Sequence, residues 1–182
     1  MDRAKSFFET EAEEFPPYRY ELALLFFRRG QYAEAATSLR FGFVENGYIA
    51  EVLCGNPHPL PTGIWHRTSW AGPDLAVEYA SDYGNLWHQE ADAIAFIRWL
   101  HSHPAVMAER ARVLKQQEAL LWEQNPDRRQ TSWHMERVAR ASINNRLSEE
   151  IVIKRIDSNG HSVRPWLHLH GPNGTGSVSR RH

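Results

Sequence analysis

The sequence predicts an all-α protein: an irregular array of helical hairpins followed by two longer helices. Three observations carry that reading. Apolar residues recur at helical spacing along most of the 182 residues, and not with the alternation of strands. Glycines and prolines fall where those runs stop. The string Gly30-x-Tyr32-x-x-Ala35-x-x-x-Leu39-x-x-Gly42 reads as the junction of two short antiparallel helices. Gly30 permits the tight corner, Tyr32 plugs it, and small Ala35 and Gly42 let the helices approach closely.

Residues 1–15 are Glu-rich, with Phe7 and Phe8 as anchors. Pro16 and Pro17 mark a helix start, since proline suits the first turn. From Tyr18 to Arg29 the residues Leu22, Ala23, Leu25, Phe26 and Phe27 follow helical spacing. A second helix is expected over Tyr32 to Glu45, with Ala35, Ala36, Leu39, Phe43 and Val44 inward and Asn46-Gly47 as its stop. Tyr48 to Leu53 predicts a third, short helix ending at Gly55. Residues 55–73 concentrate Pro57, Pro59, Pro61, Gly63 and Gly72 and predict a long loop, and such loops are often functional. Trp65 and Trp70 are expected to pack back on the helices.

Pro73-Asp74 opens the next helix, striped by Leu75, Tyr79, Tyr83 and Trp87. Residues 90–102 predict another, with Ile94, Ile97 and Leu100 on one face, broken at His103-Pro104. Met107, Ala111, Leu114 and Leu121 stripe a helix over 105–124. Met135, Ala139, Ile143, Leu147 and Ile151 predict one more continuous helix. Beyond Ile151 the pattern changes: Ile151 to Ile156, an Asn159-Gly160 turn and a stretch to His170 resemble a β-hairpin, with Pro165 weakening its second strand. The last dozen residues are expected to be disordered. The domains read as 1–103 helical hairpins, 104–156 helical extension and 157–182 tail.

Composition bounds the function only loosely. A net charge of −1 and a pI near 6.8 give no overall pull toward nucleic acid or membrane. The single cysteine, Cys54, excludes an internal disulfide and a Cys-based zinc cluster. No signal peptide is read at the start, and the longest apolar run, Leu22 to Phe27, is too short to cross a bilayer. A cytoplasmic protein without a membrane partner is the expectation.

Residues Arg19 to Asn46 resemble a tetratricopeptide repeat, a unit of ~34 residues that pairs two helices. Measured from Gly30, the family's small and aromatic first-helix residues fall on Ala23 and Phe26. Its second-helix positions fall on Tyr32, Ala35, Leu39 and Gly42. Arg19 replaces the leading Trp and Gly47 the closing Pro, so the repeat is an irregular one. Ala80-Tyr83-Gly84-Trp87 is similar to the first half of another repeat. Asn46-x-Tyr48, Leu53-Cys-Gly55, Pro59-Leu-Pro61, Glu78-Tyr79 and Trp87 resemble a segment downstream of such repeats in bacterial proteins. Together this covers just over half the chain. The resemblance implies stacked helical hairpins and binding of a peptide or protein, without catalysis. It also implies that Tyr20, Glu21, Leu24, Phe27 and Arg28 face a concave groove. Against that, Leu24 and Phe27 also fit a core position, and Arg28-Arg29 a solvated helix end, where cations are favoured.

Chemistry is weakly signalled. His101-x-His103 sits at a helix end, where the two rings point apart. His168-x-His170 shares a face only if it lies in a strand, and neither pair has the further ligands zinc wants, so no metal or cofactor is expected. Leu167 to Gly176 resembles the strand and opening of a phosphate-binding loop, but Ser177 stands where its Lys belongs. Cys54 reads as a small buried hydrophobe. The carboxylate pairs Glu13-Glu14 and Glu149-Glu150 read as solvated faces. The function expected is a non-catalytic protein- or peptide-binding module, with self-association through 105–124 as a further surface. The alternatives are a metal- or His-dependent enzyme using loop 55–73, where His58, Trp65 and His66 cluster, and nucleic-acid binding through Arg128, Arg129, Arg137 and Arg140 with Trp133.

Overall fold

The structure is a computed structural model that describes residues 15–60, 62–66, 68–123, 128–156 and 159–170. Within them the fold is all-α. The first hairpin pairs α1 (Pro17–Arg28) with α2 (Tyr32–Glu45). Its corner closes at Gly30. Gly30 takes φ +73°, its N–H donates to the Phe27 carbonyl at 2.9 Å, and the Gln31 N–H reaches back to Phe26 at 2.9 Å. Those two bonds satisfy carbonyls that the helix end leaves orphaned. Gly55, at φ +105°, repeats the arrangement after α3 (Gly47–Leu53) through Gly55 to Val52 and Asn56 to Glu51.

Close approach within the first hairpin depends on Gly42. A Cβ there would lie 2.8 Å from the Tyr20 ring. The ring cannot yield, because its hydroxyl donates to the Asn46 carbonyl at 2.7 Å and its faces meet Phe43 and Tyr79. Gly42→Ala is therefore expected to destabilise by about 1–3 kcal/mol through overpacking, even though alanine favours helix by up to ~1 kcal/mol. An earlier urea midpoint at unchanged slope is the readout. A midpoint equal to wild type or later would show that the crossing has slack.

Asn46, and not Gly47, ends α2. Asn46 adopts extended backbone, and its side-chain oxygen accepts from the Tyr48 N–H at 3.1 Å, which starts α3 one residue later. Gly47 is thus the first residue of α3. The Asn46 amide donates to the Trp70 and Gly72 carbonyls at 2.7 and 3.0 Å. One buried side chain so ties the long loop and its 3-10 turn (Ser69–Ala71) to the hairpin.

Proline opens α4 (Pro73–His88) and, after α5 (Ala91–His101), also α6 (Pro104–Leu121). Trp87 is buried with its indole N–H donating to the Tyr79 hydroxyl at 3.0 Å. α1, α2, α3, α4 and α5 share one apolar cluster, to which α6 adds Val106.

The second long helix predicted over Met135 to Ile151 is two helices, α7 (Arg128–Ser142) and α8 (Asn145–Ile151). The four-residue stripe runs through the break, so periodicity could not show it. Asn144 makes the break by capping α8, its side chain accepting from the Leu147 N–H at 3.3 Å. Its carbonyl takes a 2.7 Å bond from Arg40. Arg40 is buried in α2. It also forms a two-pronged ion pair with Glu109 of α6 at 2.7 and 2.9 Å, and donates to the Ser148 hydroxyl at 2.9 Å. One guanidinium thus fastens α6 and α8 to α2.

The tail forms a minimal hairpin, β1 (Arg155–Ile156) against β2 (Ser162–Val163), antiparallel, with Gly160 at φ +82°. The second strand expected to reach His170 stops at Val163. Pro165 cannot donate to a ladder and instead starts a 3-10 turn (Pro165–His170). The expectations for residues 1–14 and for the last dozen residues lie outside the described residues.

Candidate partner-binding site

The groove expected from the repeat resemblance is filled by the chain itself. Tyr20, Leu24 and Phe27 are 0%, 5% and 7% exposed, so none of the three presents a surface to a partner. Burial pushes the Tyr20 phenol well above its usual range. The Phe27 ring lies 5.3 Å from both Tyr32 and Phe96 and 6.4 Å from Trp166. Leu24 and Phe27 are core, the bland alternative to the groove. Glu21 is half-buried, and burial raises its carboxyl. Arg28 is exposed and answers its own chain, with Nε 3.2 Å from Glu90 and Nη2 donating to the Leu86 carbonyl. Of the five, only Glu21 and Arg28 reach solvent.

A different depression is open. A cleft of about 360 Å³ lies where α2, α6, α7 and the Trp70 turn meet. Its apolar wall is Val44, Val113, Leu120 and Met135. Its polar groups are the Gln116 and Gln117 amides and the Thr68 and Ser132 hydroxyls. Glu45 also lines it, a carboxylate only 2% exposed, 2.9 Å from Arg140 and 3.5 Å from Arg19. Trp70 stands at the rim, 45% exposed, edge-on to Phe15 at 5.5 Å. A smaller cavity of about 70 Å³ adjoins through Val44, Glu45, Ala71, Val113 and Gln117.

Loop 55–73 supports the cleft from one side. The Trp65 N–H donates to the Gln117 carbonyl at 3.1 Å. The Tyr48 hydroxyl lies 3.0 Å from His66 Nε2 and accepts the Thr62 N–H at 2.8 Å. Burial lowers the His66 imidazole from its ordinary value, which favours the neutral ring. His66 is bonded to Tyr48, and His58 is exposed in the loop. Among the described residues no group of three or more His, Cys, Asp or Glu is placed to hold a metal ion. Burial raises the Cys54 thiol, which reduces the thiolate that would react. The side chains of His168 and His170, and the Gly-rich stretch 171–176, lie outside the described residues.

The basic run of α7 is divided. Arg140 turns inward to Glu45. Arg128 donates to the Glu123 carbonyl and lies 5.9 Å from the Trp65 ring. Trp133 is exposed. On α6, Val106 and Leu120 are buried while Met107 and Leu114 face outward. No helix among the described residues is long and apolar enough to cross a membrane.

The cleft was not legible in the sequence. Glu45, Trp70, Gln117 and Arg140 come from four separate segments, and nothing in their local spacing announces that they meet. The one available signal was Trp70 itself, a large ring in a loop. No protein-family model, curated protein or solved structure matches the chain.

Proposed function

We propose that the protein is a non-catalytic binding module that holds a short segment of a partner protein in the cleft between α2, α6 and α7. One observation carries the reading: the cleft is lined by apolar side chains together with amide- and hydroxyl-bearing ones. An extended peptide needs both, since its side chains seek apolar surface and its backbone seeks donors and acceptors. The α1–α2 hairpin supports kinship with tetratricopeptide-like scaffolds, which use helical hairpins to hold peptides. The lone cysteine, with its thiol raised by burial, suits a reducing compartment, and the cytoplasm is the expected location. The outward Met107 and Leu114 keep α6 as the surface for self-association.

The test is a selection of displayed random dodecapeptides on the folded protein, followed by anisotropy titration of the enriched sequences as labelled synthetic peptides. Binding in the micromolar range is expected. Gln116→Trp, at an exposed position on the cleft wall, should weaken it at least tenfold with helicity unchanged. Failure to enrich any sequence, or equal affinity for Gln116→Trp, would overturn the proposal.

A further inference from the structure

The tail places a tryptophan in the aromatic core. Trp166 is 1% exposed. Its ring lies 4.8 Å from Phe96, 4.9 Å from Tyr32 and 5.6 Å from Trp99. These partners belong to α5 and to the corner of the first hairpin, about seventy to one hundred and thirty residues away in sequence. Phe27, one of the positions expected to face a bound peptide, lies 6.4 Å from the same ring. The chain supplies its own aromatic residue where a partner's was expected.

The rest of the segment is lightly held. Its strand pairing is two residues long. Leu167 is exposed. Arg164 lies over the Tyr32 ring at 4.7 Å and 4.0 Å from Asp92, with over a third of its side chain in solvent. Pro165 is buried beside Trp166. The anchor itself is imperfect: the buried indole N–H finds no acceptor among the described residues, and a desolvated donor without a partner weakens the docked state relative to the free one. A segment held through Arg164, Pro165 and Trp166, with the polar atom of its main anchor unsatisfied, is poised to exchange.

We infer that Phe27, Tyr32, Phe96 and Trp99 form a binding groove for an Arg-Pro-Trp segment, and that the chain's own residues 162–167 occupy it as an exchangeable internal ligand. The groove recognises a tryptophan inserted among four rings and a guanidinium between the Tyr32 face and the Asp92 carboxylate. A segment in trans with the same three residues, and an acceptor for the indole N–H, displaces the tail. The site is separate from the cleft between α2, α6 and α7, and neither proposal depends on the other.

The probe is a fluorescein-labelled peptide spanning residues 160–170, titrated by anisotropy against the full chain and against full-chain Trp166→Ala. Emptying the groove should tighten binding of the probe at least tenfold, and the same peptide with Trp replaced by Ala should not bind. Equal affinity for both chains, or no binding to a folded Trp166→Ala chain, overturns the inference. Because that variant removes a core ring, amide hydrogen exchange on the unaltered protein gives a second decision. Residues 162–167 should exchange at least a hundredfold faster than the interiors of α1 and α5, as a locally opening unit does. Exchange as slow as in those helices would mean the tail leaves only on global unfolding, and the inference fails.

Discussion

Arg40→Ala is expected to be the single substitution most damaging to the attachment of α6 and α8 to α2. The guanidinium is fully buried, and its partner Glu109 is 5% exposed at the side chain. Removing one member of such a pair leaves the other charged, desolvated and alone, which costs about 3–5 kcal/mol. The same change strips a donor from the Asn144 carbonyl and from Ser148, which leaves α8 tied to α2 by the Thr37–Ser148 hydrogen bond at 2.7 Å. For a chain of this size the loss corresponds to a fall in Tm of roughly 6–20 °C. The decisive comparison is the double variant Arg40→Met with Glu109→Leu. Replacing both charges by apolar groups of similar volume should recover most of the loss. A double variant no more stable than Arg40→Ala would show that the hydrogen bonds to α8, and not the isolated carboxylate, dominate.

Acid should begin to destabilise the fold as the pH falls through the ordinary histidine range. His101 closes α5 with its ring edge-on to Phe43 at 5.1 Å, and Arg110 donates to its carbonyl at 3.2 Å. Burial, reinforced by the Arg110 charge, lowers its imidazole from 6.5 to about 4. The folded state therefore holds the ring neutral while the unfolded chain binds a proton. The stability this contributes is complete above pH 6.5 and is lost progressively as the pH falls from 6.5 to 4. Over that window the loss amounts to about 3 kcal/mol. His66 and His103 are lowered in the same direction by burial and steepen the trend. Urea unfolding at pH 7.5 and pH 4.5 measures it. His101→Leu should flatten the slope between the two values. A variant whose stability falls with pH as steeply as the wild type would remove His101 as the cause.

What could be read from the chain was the local geometry. The Gly30 corner, the proline starts of α1 and α4, a short helix over 48–53 and the Asn-Gly turn of the hairpin all follow from backbone preferences of a few neighbouring residues. Two of the errors share an origin. The stripe Met135 to Ile151 has the period of one helix, yet Asn144 caps a new one and gives its carbonyl to Arg40, 104 positions away. The site residues failed in the same way. Tyr20, Leu24 and Phe27 were placed on a groove by their helical phase. Phase tells which residues share a face but not what covers it, and here Gly42, Tyr79, Phe96 and Trp166 cover it.

The sequence by itself determined the helical class, the order of the elements and the corner of the first hairpin, because those are set by dihedral limits and by period within a turn or two. The tertiary structure alone decided which faces stay open, which charges are buried and where a partner fits. Those depend on meetings such as Arg40 with Glu109, Glu45 with Arg140 and Trp166 with Phe96, between residues whose separation along the chain carries no periodic signal.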